Sequence, residues 1–334
     1  METEKNVPEG DRRTMIHIEK TRDFQIKEPT VVTIGKFDGR HLGHQKLIGR
    51  MMEIKKEYGY KAAVFTFSVA PADLVQGKSH TVITTNQERR NNLKKVGIDY
   101  LIEYPFTREA AHMEAEQFVK EILIGRMGMK AIVVGPDCGF GYKRSGDAAL
   151  LEKLSGTYGY HLEVIEKRKD EDRDISSSYV REELDKGEIE KANALLGEPY
   201  SIHGQVVHGN HIGEQVLGFP TANLLPPGEK HLPPFGVYVS RVLIQGRYYG
   251  GITNIGRKPT IKTKDGVSPI GVETFIFDYE GDLYGQEIEV GLLHFVRPER
   301  KMAGLEELKE QIGKDKDFGR AFLEEKGKKE GWRA

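Results

Sequence analysis

The stretch Val31-Val-Thr-Ile-Gly-Lys-Phe-Asp-Gly-Arg-His-Leu-Gly-His44 decides how the first half of the chain is read. Its opening residues are mostly β-branched and predict a short buried strand. A glycine-punctuated turn follows, with His41 and His44 three residues apart. From Gln45 to Tyr58, residues Leu47, Met51, Ile54 and Tyr58 recur at helical spacing. Strand, glycine turn and helix in that order aim free backbone N–H groups at an anion. Gly35, Gly39 and Gly43, with Phe37 and Asp38 among them, let a phosphate approach the backbone closely. Two imidazoles at the helix entrance can hydrogen-bond a nucleotide phosphate and favour the charge that builds up in displacement at phosphorus. Each feature alone is weak evidence. Glycine turns before helices are common, and paired histidines are often surface residues or half of a zinc site. Zinc is disfavoured because Cys138 is the single cysteine and no second ligand cluster stands out.

The rest of the composition narrows the class. A chain of 334 residues predicts two domains. Fifty basic against 51 acidic residues give a net charge of −1, so no basic excess argues for nucleic acid or a membrane surface. One cysteine excludes an intrachain disulfide framework and suits a reducing cytoplasm. Met1–Arg13 is polar and lacks the apolar centre of a signal peptide, and no apolar run is long enough to span a bilayer. The expected location is cytoplasmic.

Up to Lys27 a tail and a short edge strand are expected. Strands are then predicted at Ala62–Phe67, Asp99–Glu103, Ala131–Gly135 and His161–Ile165. Between them lie helices at Asn86–Val96, Glu109–Met127 and Ala148–Leu154. This alternation implies a mainly parallel sheet covered on both faces, with ligands beyond the carboxyl ends of its strands. Helices follow at Tyr179–Leu184 and Ile189–Leu196. After Gly197-Glu-Pro-Tyr200 the segments become short, rich in Val, Ile, Tyr and Phe, and separated by Gly and Pro. Ser201–His208, Gly236–Ile244, Tyr248–Ile252, Val272–Phe277 and Glu287–Phe295 predict an antiparallel barrel or sandwich. Two closing helices are expected near Leu305–Ile312 and Phe318–Glu325. The division reads as residues 1–184, a linker helix region 185–199, and 200–334.

The string Gly-x-Phe-Asp-Gly-x-His-x-Gly-His resembles the nucleotide-binding motif of the nucleotidyltransferase superfamily in the form found in bacterial FAD synthetases. Phe140-Gly-Tyr-Lys-Arg-Ser-Gly-Asp147 is similar to the family's Phe-Gly-x-x-Arg-x-Gly-Asp segment, with Arg144 and Asp147 at the matching positions. Alone it reads as a solvated basic loop. Ile175-Ser-Ser-Ser-Tyr-Val-Arg181 resembles Ile-Ser-Ser-Thr-x-Ile-Arg. Hydroxyls at a helix start cap its N–H groups; in the resemblance Ser176, Ser177, Ser178 and Arg181 hold ATP phosphates. The chain departs from the family at Lys36, usually Asn, and at Ser68-Val-Ala-Pro71, usually Asp-Pro-His-Pro. It also departs at Cys138, Gly139 and Tyr179, where an aromatic, a basic residue and often Arg are usual.

In the second half, Leu217-Gly-Phe-Pro-Thr-Ala-Asn-Leu224 contains the Gly218, Pro220, Thr221 and Asn223 of a signature similar to that of riboflavin kinases. By itself the stretch is turn chemistry. Thr221 and Asn223 supply neutral oxygens suited to a Mg²⁺ shared with phosphates. Glycines at 209, 213 and 218 predict a pliable loop. Gly236-Val-Tyr238, Asn254-Ile-Gly-Arg-Lys-Pro-Thr260 and Asp282-Leu-Tyr-Gly285 extend the likeness. Within Val272-Glu-Thr-Phe-Ile-Phe-Asp278, alternation places Glu273, Phe275 and Phe277 on one strand face. A carboxylate beside two aromatics is either an edge-strand group reaching solvent or a general base; the resemblance makes Glu273 the base, with Phe275 where His is common.

Together with Ala192-Asn-Ala-Leu-Leu-Gly197, these motifs resemble the bifunctional riboflavin kinase/FAD synthetase family from about Val31 to about Gln311. The resemblance implies an α/β nucleotidyltransferase with a Rossmann-like sheet, then an antiparallel β-barrel kinase domain with C-terminal helices. It implies riboflavin, FMN and ATP as substrates and FAD as product, with Mg²⁺ accompanying ATP. The barrel would phosphorylate riboflavin, and the first domain would adenylylate FMN with release of pyrophosphate. The departures raise a kinase-only alternative. A flavin-sensing regulator is a second, opposed by retention of Thr221, Asn223 and Glu273 and by the balanced charge.

Overall fold

The computed structural model describes residues 14–68, 81–208, 221–257 and 269–330. Gly209, Gly213, Gly218, Pro220, Val69–Pro71 and Lys258–Thr260 lie outside the described residues. The chain separates into two compact units. One comprises residues 1–80 and 84–174, the other 81–83 and 175–334.

The first unit is built on six parallel strands: β1 (Ile16–Glu19), β2 (Thr30–Ile34), β3 (Lys61–Phe67), β4 (Tyr100–Tyr104), β5 (Met129–Val134) and β6 (His161–Val164). Their spatial order is β1-β4-β3-β2-β5-β6. Adjacent residues on the inner strands enter opposite cores. Val31, Ala62, Leu101 and Ala131 pack against Leu47, Ile48, Met51 and Ile54 of helix α1 (Leu42–Tyr58). Val32, Ala63, Ile102 and Ile132 pack on the other face with Phe118, Val119, Ile122 and Leu151. Burial on both faces explains why these strands read as continuous apolar runs rather than alternating ones. The short β1 lies at an edge beside β4, as the sequence predicted.

Topology places the opening motif. The chain leaves β2 toward β3 and β4 on one side, then returns to place β5 and β6 on the other. The crevice beyond the carboxyl ends of β2 and β5 is therefore the switch point of the sheet. Ile34 runs into the histidine motif there, and Val134 runs into Gly135–Asp147. One helix differs from expectation. Glu109–Met127 is not continuous: a turn at Arg108–Ala111 and a short helix Ala115–Gln117 precede a π-helix at Phe118–Arg126. The first break follows from Thr107 and Glu114, each of which starts its own segment in extended conformation.

The second unit contains helices α5 (Ser177–Lys186) and α6 (Ile189–Leu196) and six antiparallel strands. In chain order the strands are β9 (Ser201–Gln205), β10 (Thr221–Leu224), β11 (Gly236–Ile244), β12 (Arg247–Arg257), β13 (Ile270–Ile276) and β14 (Glu287–Pro298). Two-residue strands β7 (Lys169–Asp170) and β8 (Arg173–Asp174) close the first unit as a small hairpin. The large sheet has the order β10-β13-β12-β11-β14-β9. Its outer strands meet where Val207 N donates to Asn223 O at 2.9 Å, giving a partly closed barrel. Asn193, from the linker motif, ties this unit together: its Nδ2 donates to Leu292 O and its Oδ1 accepts from Tyr200 N.

A single helix, Leu305–Glu330, replaces the two C-terminal helices expected. The charged run after Gly313 continues the helix because one glycine costs only about 1 kcal/mol relative to alanine. Asp315 in that run is almost fully buried and chelated by Arg297 of β14 at 2.7 and 3.0 Å. Leu323 packs with Val237, Val239, Ile252, Phe275, Phe277 and Leu293. Glycine allows the close approach: a Cβ on Gly319 would lie 2.5 Å from Ile252.

Candidate active sites

Helix α1 begins at His41, whose extended backbone makes it the N-cap, although its side chain does not cap. His44, one turn on, stacks on it with ring centroids 3.8 Å apart. Phe37 packs against His44 from the other side at 5.1 Å. The loop that sets this up is bent at Phe37 and Gly39, both with positive φ. It is pinned by Thr84, which donates from its N–H to Asp38 Oδ1 and accepts from Gly39 N at Oγ1, each at 3.0 Å. Asp38 is buried in this contact and so fixes the loop. Gly35 sits under the Phe37 ring, 3.2 Å from where a Cβ would be.

The environment keeps both imidazoles neutral. Burial lowers the His41 pKa to about 3, His44 pushes the same way, and Asp137 opposes. Burial lowers His44 to about 4 against a hydrogen bond to the Gly39 backbone and the charge of Asp137. The Nδ1 atoms of both rings are buried with no hydrogen-bond partner among the described residues. Two orphaned, neutral imidazole nitrogens at a sheet switch point and a helix N-terminus form a site that welcomes an anion. Gly43 lies in the first turn of α1, whose N–H groups face the same end.

The Phe140–Asp147 segment closes on itself through paired backbone bonds between Phe140 and Gly146. Asp147 caps the helix α4 (Ala148–Tyr158) by accepting from Leu150 N at 2.8 Å, so its carboxylate has a structural use. Arg144 has positive φ and donates to Asp137 O at 3.3 Å. Its guanidinium lies 2.6 to 2.8 Å from where a Cβ on Gly139 would stand. The glycine found where the family usually has a basic residue thus makes room for Arg144. Asp137 also pairs with Lys167 at 3.0 Å. Burial raises the Cys138 thiol to about 11, which keeps it protonated.

Ser176 caps α5, accepting from Tyr179 N at 3.3 Å. Ser177 and Ser178 occupy its first turn and Arg181 its second; these residues belong to the second unit.

In the barrel, Thr221 Oγ1 donates to Glu273 Oε1 at 2.8 Å. Thr221 does not lie in a turn but starts strand β10. β13 lies between β10 and β12, so Glu273 is not on an edge strand. Its register partners are Asn223 on one side and Asn254 on the other. Asn223 is 2% exposed, and its Nδ2 donates to Thr221 O at 3.2 Å. Register thus brings Thr221, Asn223, Glu273 and Asn254 to one face. The strand pairing that places Asn254 beside Glu273 is invisible to local spacing. Phe275 and Phe277 share that face farther along and lie under Leu323, which explains two aromatics beside a carboxylate.

Another contribution was missed from sequence, where Asn86–Val96 reads only as a polar helix. Helix α2 (Asn86–Lys95) starts with a capping box between Thr85 and Glu88. Its Arg89 reaches Lys36 O at 3.4 Å and pairs with Glu103 of β4 at 2.6 Å. Glu103 is wholly buried. Burial raises its pKa, but Arg90 and Arg89 outweigh that and hold the carboxyl below its ordinary value.

Residues 23–179 match the FAD synthetase family and residues 196–323 the riboflavin kinase family. The bifunctional riboflavin kinase/FMN adenylyltransferase of Bacillus subtilis is 37% identical over 86% of this chain and 90% of its own length. That of Escherichia coli is 35% identical over 89% and 94%. A solved structure described as a macrolide-efflux protein from Streptococcus pneumoniae is 30% identical, with a TM-score of 0.79 over 92% of this chain and 98% of that one. The efflux wording describes that protein; among the described residues here no helix is long and apolar enough to cross a membrane. Paired matches in the same order, over nearly the whole of the relatives, place this chain in the bifunctional riboflavin kinase/FMN adenylyltransferase family.

Proposed function

We propose that the second unit phosphorylates riboflavin to FMN with ATP and that the first adenylylates FMN to FAD. The observation that carries the kinase half is the Thr221–Glu273 hydrogen bond with Asn223 in register beside it. Glu273 accepts the proton of the riboflavin 5′-hydroxyl as that oxygen attacks the γ-phosphorus of ATP; ADP leaves. Thr221 holds the carboxylate in one orientation. Thr221 and Asn223 offer only oxygen donors, two residues apart on one strand, which suits a hard divalent cation such as Mg²⁺. Bound there with ATP, the ion offsets phosphate charge. Gly218 and Pro220 are assigned to ATP binding from the sequence signature.

In the other half, a phosphate oxygen of FMN attacks the α-phosphorus of ATP, and the bond to the β-phosphate bridge breaks. His41 and His44 donate hydrogen bonds to phosphate oxygens. Their neutral, desolvated state means that an arriving polyphosphate raises their pKa and draws protons onto them. The Gly35–Gly43 loop, including Phe37, Asp38 and Gly39, shapes the phosphate cradle. Arg144 adds positive charge, and Asp147 fixes the segment that carries it. Ser176, Ser177, Ser178 and Arg181 are assigned to ATP binding from the sequence signature. We assign adenylyl transfer to residues 1–184, a linker to 185–199 and the kinase to 200–334. The single cysteine, which allows no intrachain disulfide, supports a cytoplasmic setting.

A kinase-only reading rests on Lys36, Ser68, Ala70 and Cys138. Retention of His41, His44, Arg144 and Asp147 favours the bifunctional one, as do the paired family matches. The test incubates the protein with Mg-ATP and either riboflavin or FMN and separates the flavins by chromatography. FMN from riboflavin and FAD from FMN are expected; FMN production without FAD from supplied FMN overturns the bifunctional reading.

A further inference from the structure

The histidine loop is moulded from outside the motif by one short segment, Thr84–Arg89. Thr84 makes two hydrogen bonds to it, at Asp38 and Gly39. Arg89 makes a third, from Nη1 to Lys36 O at 3.4 Å. The three contacts cover Lys36, Asp38 and Gly39, the residues on either side of Phe37, whose positive φ turns the loop and whose ring supports His44. Arg89 is 7% exposed, and it lines one small crevice with Phe37 and Thr84.

What holds Arg89 is unusual for the interior of a sheet. Glu103 sits on β4 with no exposure, and its Oε1 accepts from Arg89 Nη2 at 2.6 Å. Its Oε2 accepts from Arg90 and contacts His17 Nε2 at 2.9 Å. Arg90 has a second partner in Glu19 at 2.7 Å. The His17–Glu19–Glu103 group has the spacing of a cation site, but two guanidiniums already fill that role. A buried ion pair of this kind is no better for stability than well-packed apolar residues. Its geometric effect is different: a forked guanidinium can bind a carboxylate with one arm and a carbonyl with the other.

We propose that Arg89, anchored by Glu103, is a positioning residue for adenylyl transfer, setting the Lys36–Gly39 loop and through it the aim of His41 and His44. This rests on the reading of the histidine site as the adenylyltransferase centre. Arg89 acts through the Lys36 carbonyl.

Two variants separate positioning from packing. Arg89→Lys retains a charge for Glu103 but lacks the fork. Arg89→Leu combined with Glu103→Leu removes both buried charges and leaves Arg90 paired with Glu19. Both are measured for melting temperature, for kcat and KM of FMN adenylylation, and for riboflavin phosphorylation as an internal control. The expected result is melting within a few degrees of the parent, unchanged phosphorylation, and a kcat for FAD formation lower by about ten- to a hundredfold with KM little changed. Should the leucine pair fail to fold, Arg89→Lys decides alone. Parental kcat for FAD in a folded variant overturns the proposal. Absence of FAD formation by the parent protein would instead overturn the underlying assignment of the site.

Discussion

The rings of His41 and His44 stack 3.8 Å apart with their planes 24° from parallel. Two imidazoles so close, in a buried site, cannot both carry charge without strong mutual repulsion. Burial is the main reason their pKa values fall to about 3 and about 4, and for His41 the neighbouring His44 adds to it. An unfolded chain would protonate them near 6.5.

The sign of the resulting pH dependence follows. Between the folded and unfolded values the unfolded chain binds more protons, so stability is fully present above about pH 6.5 and falls as pH drops toward 4. Each histidine adds a slope of up to about 1.4 kcal/mol per pH unit in that window. His44→Gln is expected to flatten the melting temperature against pH between about 4 and 6.5. Thermal melts of parent and variant across that range measure it, and parallel curves would refute it.

The same variant separates the two activities. Loss of one donor to a transition-state oxygen costs about 10²- to 10³-fold in turnover. His44→Gln should therefore lower FAD formation from FMN to that extent while riboflavin phosphorylation stays at the parental rate. Equal loss of both activities would point to general damage instead.

Much of the first unit was legible because its strands are buried on both faces. Ala131–Val134 is apolar without interruption, Val31–Ile34 is broken only by the buried Thr33, and punctuation by glycine marks the switch-point loops. The π-helix at Phe118–Arg126 was not legible, since its apolar residues also satisfy an ordinary helix. The C-terminal break was misread because charge density around Lys314–Asp317 looks like a loop until Arg297 is seen holding Asp315. Glu273 was legible as a misfit on a strand face with two aromatics. Asn254 and Arg89 were not, because their places depend on strand register and on contacts across 53 residues.

Gly146 offers a test of the Arg144 loop. A Cβ there would lie 2.5 Å from the Phe140 ring and 2.7 Å from Ala115 Cβ. Neither neighbour can swing away, as Phe140 is buried among Phe118 and the sheet. Gly146→Ala is expected to destabilise the first unit by about 1–3 kcal/mol. It should also reduce FAD formation more than phosphorylation. Urea unfolding and the two product assays provide the measurements.

The Arg297–Asp315 pair tests what holds the long C-terminal helix to the barrel. Asp315 is 3% exposed and receives two arms of Arg297 and the amide of Gln311. Arg297→Met would leave that carboxylate buried with the amide alone and is expected to cost about 3 kcal/mol. Converting Asp315 to Leu as well removes the stranded charge and should recover much of the loss. Faster amide exchange in Leu305–Glu330 for the single variant, and its reversal in the double, is the outcome expected; a helix unmoved by Arg297→Met would refute the role.

The strongest test of the kinase assignment is coupling between Thr221 and Glu273. Glu273→Gln keeps the size of the side chain and a hydrogen-bond acceptor for Thr221 but removes the basic oxygen. It should lower FMN formation by about 10²- to 10⁴-fold with little change in melting temperature. Thr221→Val removes the 2.8 Å hydrogen bond and frees the carboxylate to rotate, so a smaller loss is expected. Thr221 acts partly through Glu273, so the double variant should be less impaired than the product of the two single losses. Fully multiplicative losses would show that the two residues act independently, and parental turnover in Glu273→Gln would remove it from the role of base.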